Sequence, residues 1–188
     1  MEKSKRQLGI FKNAETIIVM ALFIALSIVF GKFLAINITN NFRISLENTP
    51  TILAAVTYGP LAGAVVGALS DLIGCLLVGY PINPIITAGA LTIGLLAGIL
   101  AKLLLRGNEK YSKTGLAVRC LAVVGPAHLL GSVIIKTLGL YFYFGSPLLV
   151  TFSVRLGIYA VTAVTEAGIL YILYTHKIIK ERKLRQRG

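Results

Sequence analysis

Residues 58–80 read YGPLAGAVVGALSDLIGCLLVGY, and this stretch decides the fold. Gly59, Gly63, Gly67, Asp71 and Gly74 follow one another at intervals of four, four, four and three. That spacing lines one face of a helix. Small residues so placed let helix backbones approach closely inside a bilayer. Asp71 shares the face, so it points into a protein bundle and away from lipid. An ionisable group at such depth is costly and by default marks a functional site. The plainer alternative is an acid that only caps or bonds a neighbouring helix.

The surrounding composition agrees with a membrane setting. The 188 residues are 56% hydrophobic and 14% charged, with a mean hydropathy of +0.81. That lies far from an ordinary globular chain and predicts one integral-membrane domain over residues 1–188. The net charge of +12 could point to nucleic acid. The bases instead cluster just outside apolar runs, the positive-inside pattern, which argues against nucleic acid and for contact with anionic lipid. Cys75 and Cys120 sit inside apolar runs and read as small buried hydrophobes. No cleavable signal is evident at the N-terminus.

Working outward, six membrane spans are expected. The first covers about Ala14 to Ile36, behind a basic tail over residues 1–12. Asn37 to Glu47, NITNNFRISLE, reads as a partly extended outer loop. Thr51 to Thr57 is a short apolar run, extended back to near Leu46 as a short or tilted second span. Tyr58-Gly59-Pro60 is a tight turn into the third span, Leu61 to Val78. GYPINP leads to the fourth, Ile85 to Leu105, and RGNEKYSK to the fifth, Gly115 to Leu140, which Pro126 should kink. YFYFGSP leads to the sixth, Leu148 to Thr175, followed by a basic tail, residues 177–188. Fifteen of the nineteen bases then fall on one side, leaving Lys32, Arg43, Lys136 and Arg155. This predicts an N-in, C-in orientation.

Three helices carry polar stripes. Asp71 lies on the third. His128, Ser132 and Lys136 recur every four residues on the fifth. Arg155, Tyr159, Thr162 and Glu166 follow at four, three and four on the sixth. Polar groups facing lipid would be expensive, so the stripes should face one another. Glu166 fits either a bundle-holding ion pair or a functional group. Asp71, Arg155, Tyr159 and the His128–Lys136 stripe converge with the outer loop on the outer half of the bundle. One acid, several bases and Tyr80 with the 141–144 aromatics make a pocket suited to a flat aromatic ligand that carries carboxylates. The 141–144 aromatics also fit an interfacial belt. No Walker A, HExxH or GxSxG motif occurs, so catalysis is not expected. A metal site or bound cofactor is not expected either. No internal inverted repeat is evident, which counts against a stand-alone secondary transporter.

Two stretches carry a family resemblance. Ala21-Leu-Phe-Ile-Ala25 resembles the AxxxA element of the substrate-binding (S) components of energy-coupling factor (ECF) vitamin transporters. Phe42 to Gly74, FRISLENTPTILAAVTYGPLAGAVVGALSDLIG, resembles the folate-specific branch through its Arg-Ile-Ser loop, Gly-Pro turn and Ser-Asp pair. Arg155-Leu156 is similar to that branch as well. The resemblance implies a six-helix bundle that binds folate at its outer face. It implies delivery through a transmembrane coupling subunit and two cytoplasmic ATPases, with Ala21 and Ala25 facing the coupling subunit. Asp71 would accept from the pterin 2-amino and N3 edge, and Arg43 or Arg155 would hold the glutamate carboxylates. Ser45, Tyr80, His128, Lys136 and Tyr159 complete the expected binding set. The alternatives are an S component for another vitamin, such as riboflavin, and a small membrane enzyme using Asp71 and His128.

Overall fold

The computed structural model describes residues 13–39, 42–105 and 111–176, with the side chains of 37–39, 42 and 43 outside it. Both basic tails and residues 106–110 therefore lie outside the described residues. Helix α1 (Ala14–Ile28) starts at Asn13, whose side chain accepts from the Glu15 amide, and runs on into a π-helical turn, Val29–Phe33. A two-stranded antiparallel ribbon follows, β1 (Ile36–Thr39) and β2 (Phe42–Ile44). This bears out the partly extended loop.

Then come α2 (Asn48–Tyr58), α3 (Pro60–Val78) and α4 (Pro84–Leu104). The next rod is continuous over Lys113–Phe144. It comprises α5 (Lys113–Ala127), a π-helical stretch (His128–Ile135) and α6 (Lys136–Phe144). Helix α7 (Leu148–Thr175) closes the bundle. Pro126 has no amide proton to donate, and the helix widens into π turns immediately after it. The expected kink is thus a change of helical pitch.

Five of the six rods are long and apolar enough to cross a membrane. The second rod is the short one that the sequence suggests. Helix α2 has 11 residues, about 16 Å at 1.5 Å each, against about 30 Å of hydrocarbon. Nine of its residues are buried, so it is a core helix. Gly59 ends it at φ 105°, a conformation glycine reaches without penalty, and Pro60 starts α3 at once. Hydropathy cannot tell a short core helix from a short span, because both are apolar throughout. Helix α2 still carries the chain back from the ribbon end to the opposite end, so the order of the rods survives.

Helix α4 is the spine, packed on α2, α3, α5 and α6. The larger core cluster joins Ile52 and Val56 of α2, Ile93 and Ala97 of α4, Cys120 and Val123 of α5, and Leu170 of α7. A smaller cluster joins Met20, Ala54, Tyr58 and Val66. At the end away from the ribbon, Arg119 donates to the Leu104 carbonyl (2.9 Å) and lies over the Tyr111 ring (3.8 Å), fixing the end of α4.

Candidate functional site

The cavity sits at the ribbon end, between α1, α2, α3, α4 and α6. Helix α3 contributes Gly67, Ser70 and Asp71. From α1 and its π turn come Ser27, Ile28 and Lys32; from the start of α2, Glu47, Asn48 and Thr51. Lys136 closes it from α6 and Ala90 from α4. Its volume is about 20 Å³, room for one water. Any larger ligand must displace something.

Asp71 accepts a 2.6 Å hydrogen bond from Thr87 Oγ1 in the first turn of α4. Thr87 is placed by the GYPINP turn. Asn83 caps α4 by accepting from the Ile85 and Ile86 amides, with Pro84 as the first helical residue. The other end of the Asn83 amide donates to Gly139 O at 2.9 Å, tying α4 to α6. Lys136 Nζ bonds Glu47 Oε1 at 3.2 Å, both side chains largely shielded from solvent. The stem of Lys136 lies against Gly89, where a Cβ would meet its Cγ at 2.7 Å. The Glu47 carbonyl in turn accepts from Ser27 Oγ, and Gly31 packs on its side chain. Asn48 Nδ2 is buried on the cavity with no hydrogen-bond partner among the described residues. Lys32 points its ammonium toward the Tyr80 ring, 5.3 Å from the centroid.

A second polar cluster lies deeper, between α2, the π stretch and α7. His128 Nε2 and Glu166 Oε2 are 2.5 Å apart and almost fully buried. Thr49 Oγ1 donates to the other Glu166 oxygen at 3.0 Å. His128 Nδ1 is 3.1 Å from Ser132 Oγ, and its ring stacks on Tyr159 at 5.3 Å. Arg155 Nε donates to Ser132 O (3.0 Å), and its guanidinium lies over the Tyr159 ring (5.1 Å).

The expected site residues therefore divide. Asp71 and Lys136 meet at the cavity. His128, Arg155 and Tyr159 form the second cluster and are not among the cavity's lining residues. Tyr80 is exposed beneath Lys32. Ser45 lies between β2 and α2, half-buried. Arg43 is on β2, paired with Asn37, and its side chain is outside the described part. Tyr141 to Phe144 are exposed, as an interfacial belt would be. Sequence reasoning missed Lys32, Glu47, Asn48 and Thr87. A signal existed for Thr87, which follows the cap Asn83 by one turn.

A family model described as "ECF-type riboflavin transporter, S component" matches residues 11–180. The folate transporter FolT of Clostridium novyi (strain NT) is 29% identical over 160 residues, covering 85% of this chain and 88% of that protein. The fold is similar to a crystal structure of FolT bound with folic acid: TM-score 0.65, 23% identity, 88% of this chain and 95% of that one. It is also similar to ThiT from Listeria monocytogenes, with TM-score 0.63, 19% identity and coverage of 87% and 96%. An S-component for biotin from an ECF-type ABC transporter gives 0.63 and 19%, covering 86% and 91%. With nearly its whole length matched and five rods able to cross a bilayer, the chain belongs to the ECF-type transporter S components, a family of multi-pass membrane proteins.

Proposed function

We propose that this S component binds folate at the ribbon end of the bundle. The carrying observation is the cavity's chemistry: an acid beside a threonine, two lysines, and a buried amide donor without a partner. Asp71 accepts from the pterin 2-amino and N3 edge, a charge-assisted pair of bonds. Lys136 and Lys32 serve the acidic part of the ligand. The kinship with C. novyi FolT supports the same ligand. Arg155, His128 and Tyr159 act from behind, holding α7 against the rod that carries Lys136. Arg43 completes the outer rim.

The basic ends of the rods face the cytoplasm in this reading, so the cavity opens outward. A transmembrane coupling subunit and two ATPases then complete an importer. Ala21 and Ala25 are exposed on α1 and form its contact with the coupling subunit. Ala21→Leu with Ala25→Leu is expected to leave folate binding within about 2-fold of wild type while uptake in cells expressing the whole importer falls at least ~10-fold, because close backbone approach is lost. Equal loss of binding and uptake would place these residues elsewhere.

Asp71→Asn tests the site. It should keep the helical circular dichroism and melting temperature and weaken folate at least ~100-fold, the scale of a lost charged acceptor for two donors. Titration calorimetry of the detergent-solubilised chain reads it. An unchanged affinity removes Asp71 from the site. The second reading is riboflavin, which the name of the matching family model favours. Riboflavin has no carboxylate and leaves both lysines without an anion from the ligand. Direct titration of both vitamins separates the two.

A further inference from the structure

We propose that Glu47 is a built-in competitor for the ligand's carboxylate, and that its exchange at Lys136 selects anionic ligands. This rests on the folate reading and deepens it. The cavity holds one water's worth of space, and Glu47 and Lys136, paired at 3.2 Å, both line it. Lys136 is buried, and a buried ammonium left without an anion is strongly disfavoured. Asp71 lines the same cavity, but Glu47 is the anion paired with Lys136, so moving Glu47 aside favours a replacement anion at that place. A ligand carboxylate supplies one; a neutral ligand does not.

Three further observations converge. Glu47 is the last residue before α2, in the segment that joins the ribbon to the helix. Its side chain makes no capping bond to α2, so displacing the carboxylate leaves the helix start intact. Asn48, the next residue, presents a buried donor with no partner on the same cavity. Unpartnered buried donors are costly, and a ligand oxygen arriving at Lys136 would satisfy this one. The site thus holds its own anion at Lys136 and, among the described residues, offers no acceptor to Asn48 Nδ2. An acid-bearing ligand fills both places.

The competitor lowers apparent affinity by the fraction of molecules in which Lys136 is free. Removing it should tighten binding, which is opposite to what a direct ligand contact does. The experiment titrates folate, 6-hydroxymethylpterin (the pterin head without a carboxylate) and riboflavin against wild type, Glu47→Gln, Lys136→Met and Asn48→Leu. Glu47→Gln should bind folate about 10-fold tighter, by the population argument, and leave the head group within about 2-fold. Its ligand-free melting temperature should fall, and folate should raise it by a larger interval than in wild type. Lys136→Met should narrow the advantage of folate over the head group, leaving what Lys32 and the aminobenzoyl ring supply. Asn48→Leu should melt no lower than wild type and weaken folate.

Weaker folate binding by Glu47→Gln, or an equal change for folate and the head group, overturns the proposal. So does a Lys136→Met chain whose preference for folate over the head group equals that of wild type. Those outcomes are distinct from wild type binding riboflavin and not folate, which rejects the folate reading itself. Should Glu47→Gln not fold, Glu47→Asp, which keeps the charge but withdraws it by one methylene from Lys136, should tighten folate in the same direction, and an unchanged or weaker affinity overturns the proposal.

Discussion

Glu166→Ala is expected to destabilise the bundle by about 2–5 kcal/mol, the scale for leaving two buried hydrogen-bonding groups without their partner. Glu166 answers to two elements at once. It holds His128 at 2.5 Å and accepts from Thr49 at 3.0 Å, joining α7 to the π stretch and to α2. Without it, an imidazole and a hydroxyl are left buried with no acceptor. For a chain of this size the melting temperature should drop by about 10 °C. The double variant His128→Leu with Glu166→Met should regain much of that loss, since an apolar replacement of a buried pair is often neutral or better. Melting curves with and without folate read both. If Glu166→Ala kept its stability and lost folate, Glu166 would belong to the ligand and not to the scaffold.

Gly94→Val carries the other large effect. A Cβ at Gly94 would stand 2.1 Å from Gly63 O and 2.2 Å from Gly63 C, both backbone atoms of α3. No rotamer change relieves a clash with backbone, so α3 and α4 must part. The cost is expected to exceed the ~1–3 kcal/mol of ordinary overpacking. The same crossing sets the site, because Asp71 and Thr87 lie on these two helices and meet at 2.6 Å. Gly94→Val should therefore lose monodispersity on size exclusion and lose folate binding together. Gly157→Ala on α7, where a new Cβ meets nothing within 4 Å, is the control and should behave as wild type. A well-folded Gly94→Val chain would remove the helix crossing as the basis of the fold.

The glycine spacing that opened the sequence reading is what this crossing uses. Gly63 and Gly67 face Gly94 and Ala90 across the contact, and Asp71 continues the same face into the cavity. Small residues at helical intervals record a close contact directly, so this much was legible. The polar stripe of the fifth rod was legible as polar but not in its aim. Four-residue spacing places His128, Ser132 and Lys136 on one face of an α-helix. The intervening turns are π-helical, and the rotation per residue differs. His128 turns to Glu166, and Lys136 turns to Glu47.

Lys32, Glu47 and Asn48 were illegible for a related reason, and Thr87 was marked only by its place one turn after the cap Asn83. They come from three segments, the π turn after α1, the start of α2 and the first turn of α4, and only the packing of these elements around α3 brings them to one place. Lys32 lies on the other π-helical turn, where an α-helical reading misjudges its direction. The enclosure of α2 was hidden because burial in protein and burial in lipid select the same apolar side chains.

That short helix has a consequence for the protein's dealings with its bilayer. The lipid-facing wall consists of rods that must match the hydrocarbon thickness, at a cost of fractions of a kcal/mol per Å of mismatch. Helix α2 is enclosed by them and meets little lipid. It is thereby exempt from hydrophobic matching. Reconstitution into membranes of different acyl-chain length should shift the tilt of the surrounding rods, while Asn48 and Thr51 stay in step with the protein interior. The segment that begins the binding cavity is insulated from the variable that most changes between one membrane and another.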